Sequence, residues 1–461
     1  MSSAAAPSGP AALVTLRAPR LPLLHALGAA ADLGRYFDWR QRRAGDPFLV
    51  GFPAFGSAVF TGTPEGAREL FRAPVELLVP PLPNPIEPMV GPASLILSRG
   101  TRHRQDRALL APAFHRKRIS AYGSVIRDAA RAELEGGRTG TAWLPGTRVD
   151  ARAAARAITL RVILAAVFGI DEPRRLREYT VATTEFLHSF GGPLFLVPAL
   201  RRTMFGLTGW ERFTAARDRL DELIDSEIVR RRGDARSGDA SDILALLLGA
   251  RYEDGGALED ADLREQLRTL LVAGHETTAT SLVWALYRLH REPAVLARLR
   301  AELDEAGADL DPAELAALPY LDAVCQETLR LHPPVPIVLR RLTGDFALRG
   351  APLVAGDTMG VSIQLLHSHP GVWPAPHEFR PERFLERRYS PFEFAPYGGG
   401  HRRCVGAALA DYELRIVLAA LVSSVRLRLS PRFARGRVPL TVPHNIATGP
   451  HAAITFDVSE P

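Results

Sequence analysis

The sequence predicts a mainly helical fold with a minor β lobe. Two observations carry this. One periodic segment runs unbroken from Asp260 to Arg291, and stretches of helical period fill most of 101–250. Residues 335–395, in contrast, are rich in proline and glycine, low in helical period, and read as strands and turns.

Taken in order, Leu27–Arg43 has helical period, and Pro47–Phe60 reads as two short strands turned at Pro53–Gly56. Residues 74–98 (PVELLVPPLPNPIEPMVGPASLILS) are apolar and crowded with proline, which removes helix hydrogen bonds. That stretch is a long loop, and long ordered loops are usually functional. Helices follow from about 101 to 250, broken at Gly169, Gly191–Pro193 and Gly233–Asp239. The 260–291 segment spans ~45 Å at 1.5 Å per residue, so it must cross the whole domain. Pro319–Leu331 is a helix opened by a proline, tolerated in a first turn, and closed by Pro333-Pro334. After Cys404 the chain returns to helix over Ala407–Leu421 and ends in short strands around 425–457.

No Gly/Ser linker, low-complexity tract or repeat divides the 461 residues, so the expectation is one domain over 1–461. Residues 1–25 read as a flexible N-terminal arm. The net charge is +6, but Lys117 is the only lysine among 57 basic residues, and the arginines are scattered. Clustered charge with interleaved aromatics is missing, which argues against nucleic acid. The arginine bias points to a high-GC bacterium. Two cysteines make no disulfide framework, and no stretch reaches the ~20 apolar residues of a membrane span. A monomeric, cytoplasmic protein is expected.

Four constellations carry chemistry. In AGHETT (273–278), Glu276 and Thr277 interrupt the apolar interior of the long helix. Ala273 and Gly274 remove bulk there and let something approach the backbone; the blander alternative is a helix crossing with Glu276 facing a polar neighbour. Glu327 and Arg330 share a helix face at i,i+3 in apolar surroundings, and Arg383 in FRPERF is a candidate third partner. His103 and Arg107 share a face at i,i+4, a geometry suited to a carboxylate or phosphate, with Arg340 a further basic residue after an apolar run. Last, FAPYGGGHRRCVG (394–406) delivers Cys404 from a glycine turn to a helix N-terminus beside Arg402 and Arg403. An anion cradle, a reactive thiol and a thiolate ligand compete there. The loop lacks a P-loop ending and the companions of a zinc site, and His401 is a weak base for a nucleophile. A lowered thiol pKa is expected, which suits nucleophile and ligand alike.

Together, and in this order along essentially the whole chain, these segments resemble the cytochrome P450 superfamily of haem-thiolate monooxygenases. Gly400, Arg402, Cys404 and Gly406 lie in register with its cysteine-ligand signature, and AGHETT with its oxygen-activation motif. The resemblance implies the P450 fold, with haem b between the long distal helix and the proximal Cys loop. Cys404 would be the iron ligand, with His103, Arg107, Arg340 and Arg402 on the propionates, and Ala273, Gly274, Gly400 and Gly406 close to the porphyrin. Thr277 would hydrogen-bond dioxygen, Glu276 would relay protons, and Glu327, Arg330 and Arg383 would be structural. By family position Thr269, Val272, Pro336, Ile337, Val338 and Ile446 are pocket candidates, as are parts of 74–98, Phe186–Leu196 and Asn445–Thr448. A hydrophobic substrate of bacterial secondary metabolism is implied, hydroxylated or epoxidised. Electrons would come from NAD(P)H through a separate ferredoxin or flavodoxin and its reductase. A peroxide-driven peroxygenase and a non-catalytic haem sensor or carrier are the rivals. Tyr397 departs from the family, which usually has phenylalanine.

Overall fold

The structure is a computed structural model, and it describes residues 28–29, 32–52, 56–191, 194, 198–203, 208–233, 242–307, 310–444 and 446–460. The expected N-terminal arm, the turn after Phe52, parts of Phe186–Leu196, and Asn445 therefore lie outside the described residues.

The helices that matter here are α1 (Leu33–Ala44), α2 (Pro64–Arg72), α3 (Gly100–Leu110), α4 (Gly123–Leu134), α5 (Ala151–Phe168) and α6 (Pro173–Ser189). They continue as α7 (Gly209–Gly233), α8 (Ile243–Gly249), α9 (Asp260–Arg291), α10 (Pro293–Ala306), α11 (Pro319–Leu331) and α12 (Ala407–Ser424). Local chemistry sets their ends. Asp150 accepts from the Arg152 and Ala153 amides to start α5, and left-handed Gly169 (φ 62°) ends it. Pro173 opens α6, and Glu172 caps it. On α9 acids occupy the first turn and Arg288, His290 and Arg291 the last, each complementing the helix dipole.

The β lobe is a five-stranded sheet of β1 (Phe48–Phe52), β2 (Gly56–Thr61), β3 (Leu78–Val79), β5 (Ile337–Leu342) and β8 (Thr358–Ser362). Its order is β1-β2-β8-β5-β3, parallel only between β2 and β8. Arg340 pairs with Met359 and Val338 with Val361, which fixes the face that each presents. A second sheet joins β4 (Arg148–Asp150), β12 (Thr455–Ser459) and β9 (Arg426–Leu429). Hairpins β6 (Phe346–Leu348) with β7 (Ala351–Leu353) and β10 (Thr441–His444) with β11 (Ala447–Pro450) complete the described strands. The expected 74–98 loop holds β3 and two short helical turns, Val75–Leu77 and Glu87–Val90.

Helix α9 crosses the molecule as its length required, packing on α5, α7, α11 and α12. Its first half, Leu263 to Val272, joins one buried cluster with α5, α6, α7 and α8. Its second half, Ala279 to Leu289, joins another with α4, α11 and α12. Residues 273–278 belong to neither cluster. Ala273, Gly274 and Thr277 retain partial exposure inside a helix that is otherwise buried on both sides of them. The polar interruption seen in the sequence is thus a gap between two cores.

Candidate active site

The loop before α12 is folded by its glycines and by one backbone bond, from the Cys404 amide to the Tyr397 carbonyl at 3.0 Å. Gly400 has φ 67°, and a Cβ there would stand 2.5 Å from the Phe71 carbonyl oxygen at the end of α2. Only glycine fits. The close approach that demands it is to protein backbone. Gly406 is different: its φ is −85°, and a Cβ would make ordinary contact with Phe114 at 3.7 Å.

Cys404 is exposed as a residue, yet desolvation of its thiol by the surrounding protein pushes the pKa up. The expected lowering fails because desolvation outweighs the Gly406 amide bond to the sulfur and the cations of Arg403 and Arg107. A thiol so placed needs a positive partner to ionise. Among the described residues, no group of three or more His, Cys, Asp or Glu could hold a metal ion. Cys325 is buried in α11, its thiol also pushed up by desolvation.

Around this loop the structure gathers the basic residues singled out from three distant segments. His103 and Arg107 come from α3, Arg340 from β5, and Arg402 from the loop. The charges acting most strongly on His103 are Arg402, His401, Arg107 and Arg340; with burial they push its pKa down to about 3. Burial, then Arg402, pushes Arg340 down to about 9. Arg402 falls to about 10 through burial, Arg99 and Arg107. Arg402 donates to the carbonyls of Ile96 and Ser98, but its buried Nε has no partner, and neither does Nε2 of His401. His401, whose ring lies 5.8 Å from that of His103, is a member that sequence reasoning set aside as a weak base. A part-buried basic cluster with orphaned buried nitrogens calls for anions. One exposed cysteine beside it matches a prosthetic group with two carboxylates and one metal, and these residues fit haem b.

On α9 the Thr277 hydroxyl donates to the Ala273 carbonyl at 2.7 Å, so its oxygen stays on the open face. Gly274 faces the other way: a Cβ there would meet Ile163 Cδ1 of α5 at 2.6 Å. Its missing side chain serves the α5–α9 crossing. Glu276 also faces α5, where Arg156 donates to its two oxygens at 2.7, 3.0 and 3.2 Å. The pair borders an open-sided cavity of about 280 Å³ with Arg138, His188 and His275 on its walls. Arg156 was missed; its signal was a guanidinium recurring in an otherwise apolar helix.

Glu327, Arg330 and Arg383 are all buried and meet as expected, with Arg330 Nε 2.6 Å and Arg383 Nε 3.3 Å from the carboxylate. Of the pocket candidates, Thr269 spends its hydroxyl on Ser94, Val90 and the Glu265 carbonyl, and Val272 is packed in the core. Pro336 is also buried, whereas Ile337, Val338 and Ile446 keep partial exposure.

A helical fold with a long distal helix, a proximal thiol loop and a cationic carboxylate cradle defines the haem-thiolate class. The cytochrome P450 family model matches residues 18–440. Cytochrome P450 135B1 of Mycobacterium tuberculosis is 34% identical over 416 residues, covering 89% of this chain and 85% of the relative. Cytochrome P450 138 of the same organism is 34% identical over 396 residues, covering 85% and 83%. A retinoic acid-bound cyanobacterial CYP120A1 structure is 26% identical, with TM-score 0.81 over 94% of this chain and 96% of that one. The haem domain of cytochrome P450DA, 23% identical, shares the fold at TM-score 0.83 over 97% and 98%. The chain belongs to the cytochrome P450 family: it is a monooxygenase that binds haem and takes electrons from redox partners. Among the described residues no single helix is long and apolar enough to cross a membrane.

Proposed function

We propose that this protein inserts one oxygen atom of dioxygen into a hydrophobic small molecule, by hydroxylation or epoxidation, in bacterial secondary metabolism. The observation that carries the haem-thiolate reading is the part-buried cluster of His103, Arg107, Arg340 and Arg402 beside the exposed Cys404. Haem, when bound, supplies dioxygen binding and the oxidising power for C–H or C=C attack. Cys404 would hold the iron, with the Gly406 amide steadying the sulfur; Arg107, Arg340 and Arg402 would neutralise the propionates, and neutral His103 would donate a hydrogen bond to one. Ala273 and Thr277 line the distal side, where the threonine hydroxyl positions a proton donor. Glu276, held by Arg156 on the α5 side of α9, relays protons from the open-sided cavity that the pair borders. The retinoic acid bound by the cyanobacterial relative supports an extended, largely apolar substrate, and Ile337, Val338 and Ile446 suit one. Electrons come from NAD(P)H through a separate ferredoxin or flavodoxin and its reductase, and the protein acts as a cytoplasmic monomer.

The test begins with the ferrous–CO complex. A red-shifted Soret band in the wild type, lost in Cys404→Ser, is the expected result. A colourless but well-folded protein would end this reading. A ligand screen by Soret spin-state shift, followed by product analysis with a reductase system, then identifies the substrate; reductant never consumed with any ligand would exclude turnover.

A further inference from the structure

Tyr397, the departure from the family's phenylalanine, has a partner. Its hydroxyl donates to Oδ1 of Asp411 at 2.6 Å, joining the Cys loop to the second turn of α12. Asp411 is half-buried, and among the described residues Tyr397 is the side chain that hydrogen-bonds it. Three other charged groups face this spot. Arg403 lies 6.0 Å from the Tyr397 ring centre, on the loop itself. Arg415, one turn further along α12, pairs with Asp322 of α11 at 2.5 Å and donates to the Ala316 carbonyl, while its buried Nε has no partner. The Cys404 amide donates to the Tyr397 carbonyl at 3.0 Å, so the residue that holds Asp411 is bonded to the cysteine itself, and the charges of Asp411 and Arg403 act on the sulfur with opposite signs.

We propose that Tyr397 and Asp411 are a positioning pair that fixes a carboxylate beneath the Cys404 loop and lowers the potential at which the haem iron accepts its first electron. The physical reason is Coulombic. Reduction adds negative charge to the iron–thiolate unit, and a fixed carboxylate in a poorly solvated setting opposes that addition. The Tyr397 hydroxyl is what holds the carboxylate in place. With phenylalanine there, Asp411 has no such donor, turns toward Arg415 and solvent, and is screened from the sulfur. Tyrosine at 397 therefore acts through Asp411, and the pair makes this chain harder to reduce than its phenylalanine-bearing counterparts.

This rests on Cys404 being the iron ligand, so the experiment reads ligation and potential separately on the haem-loaded protein. The ferrous–CO band reports ligation; spectroelectrochemical titration of the ferric–ferrous couple reports potential. Asp411→Asn is expected to keep the thiolate CO band and to shift the midpoint potential positive. Asp411→Glu, which restores the charge, should return most of that shift. Tyr397→Phe should shift it in the same direction by less, and add little in a D411N background, because both changes remove one interaction. Arg403→Gln should move the potential the opposite way. Potentials of D411N and Y397F that match the wild type, or move negative, with the CO band intact, would overturn the pair. So would D411E failing to recover what D411N changes, since that outcome marks a packing role. Absence of a thiolate band in the wild type would sink the ligand assignment, and this inference with it.

Discussion

His367 sets an acid limit on the proximal side. It is buried, its Nδ1 lies 3.2 Å from the Arg330 carbonyl, and its Nε2 lies 2.9 Å from the Ala395 amide. An amide N–H can only donate, so Nε2 must accept and Nδ1 carries the proton. The neutral tautomer is locked from both ends, between the buried Glu–Arg triad and the segment leading into the Cys loop. Burial, then the Arg330 charge, pushes its pKa down to about 3. Above the unfolded value of about 6.5 the ring is neutral in both states, and its contribution to stability is whole. As pH falls from about 6.5 towards 3, the unfolded chain takes up a proton that the folded one refuses, and stability is lost. At ~1.4 kcal/mol per pH unit the loss at pH 5 is about 2 kcal/mol from this residue. Urea unfolding of the holoprotein at pH 7.5 and 5.0, wild type beside His367→Gln, isolates the effect, because the two share every other titrating group. The variant should be weaker at pH 7.5 through its lost Nδ1 bond, and the gap should narrow by about 2 kcal/mol at pH 5. Parallel pH profiles would refute the neutral-lock argument.

Three further outcomes are expected. Glu327→Ala leaves two buried guanidiniums without their carboxylate and should cost about 3–5 kcal/mol, much of a typical stability margin, read by chemical denaturation and haem retention. Gly400→Ala forces a Cβ against the Phe71 carbonyl at a left-handed φ; a loss of about 1–3 kcal/mol and a weakened CO band should follow, and an unchanged melting temperature would contradict it. Thr277→Ala should leave haem bound while diverting reductant to peroxide, so the ratio of product to NAD(P)H consumed falls; unaltered coupling would remove the hydroxyl from the mechanism.

The sequence made the long elements legible because their signals are local and strong. Asp260–Arg291 and Pro319–Leu331 match the expected bounds, and Ala407 begins the helix after Cys404 as read, though it runs on to Ser424. The basic cluster was legible only as scattered residues, since α3, β5 and the Cys loop meet through tertiary packing. What failed was direction. Sequence spacing placed Gly274 and Glu276 at the site but could not say which side of α9 they face, and both turn toward α5. The Cys404 pKa failed for a related reason: nearby arginines are visible in sequence, whereas the desolvation that overrides them depends on the folded surroundings. Tyr397 was visible as an anomaly, but its explanation lies 14 residues away.

Two basic groups of this molecule show how a structural charge is told from a ligand-binding one. Arg330 donates to Glu327 and to the carbonyls of His367, Pro376 and Glu378, and Arg383 to Glu327 and the carbonyls of Pro374 and Ala375. Their demand is met inside the chain, so they require no ligand and can only stabilise or, when broken, destabilise. His103 is also buried and Arg107, Arg340 and Arg402 are half-buried, but the strongest charges acting on His103, Arg340 and Arg402 are one another and neighbouring cations. Such a cluster is unfavourable by itself and becomes favourable once two carboxylates enter, so apoprotein stability and haem affinity are opposed through the same residues. Arg340→Leu should therefore leave the apoprotein as stable as the wild type, or more so, while weakening haem retention. Comparing apo and holo unfolding midpoints reads both effects, and a variant that loses stability equally in both forms would make Arg340 a structural residue like Arg330.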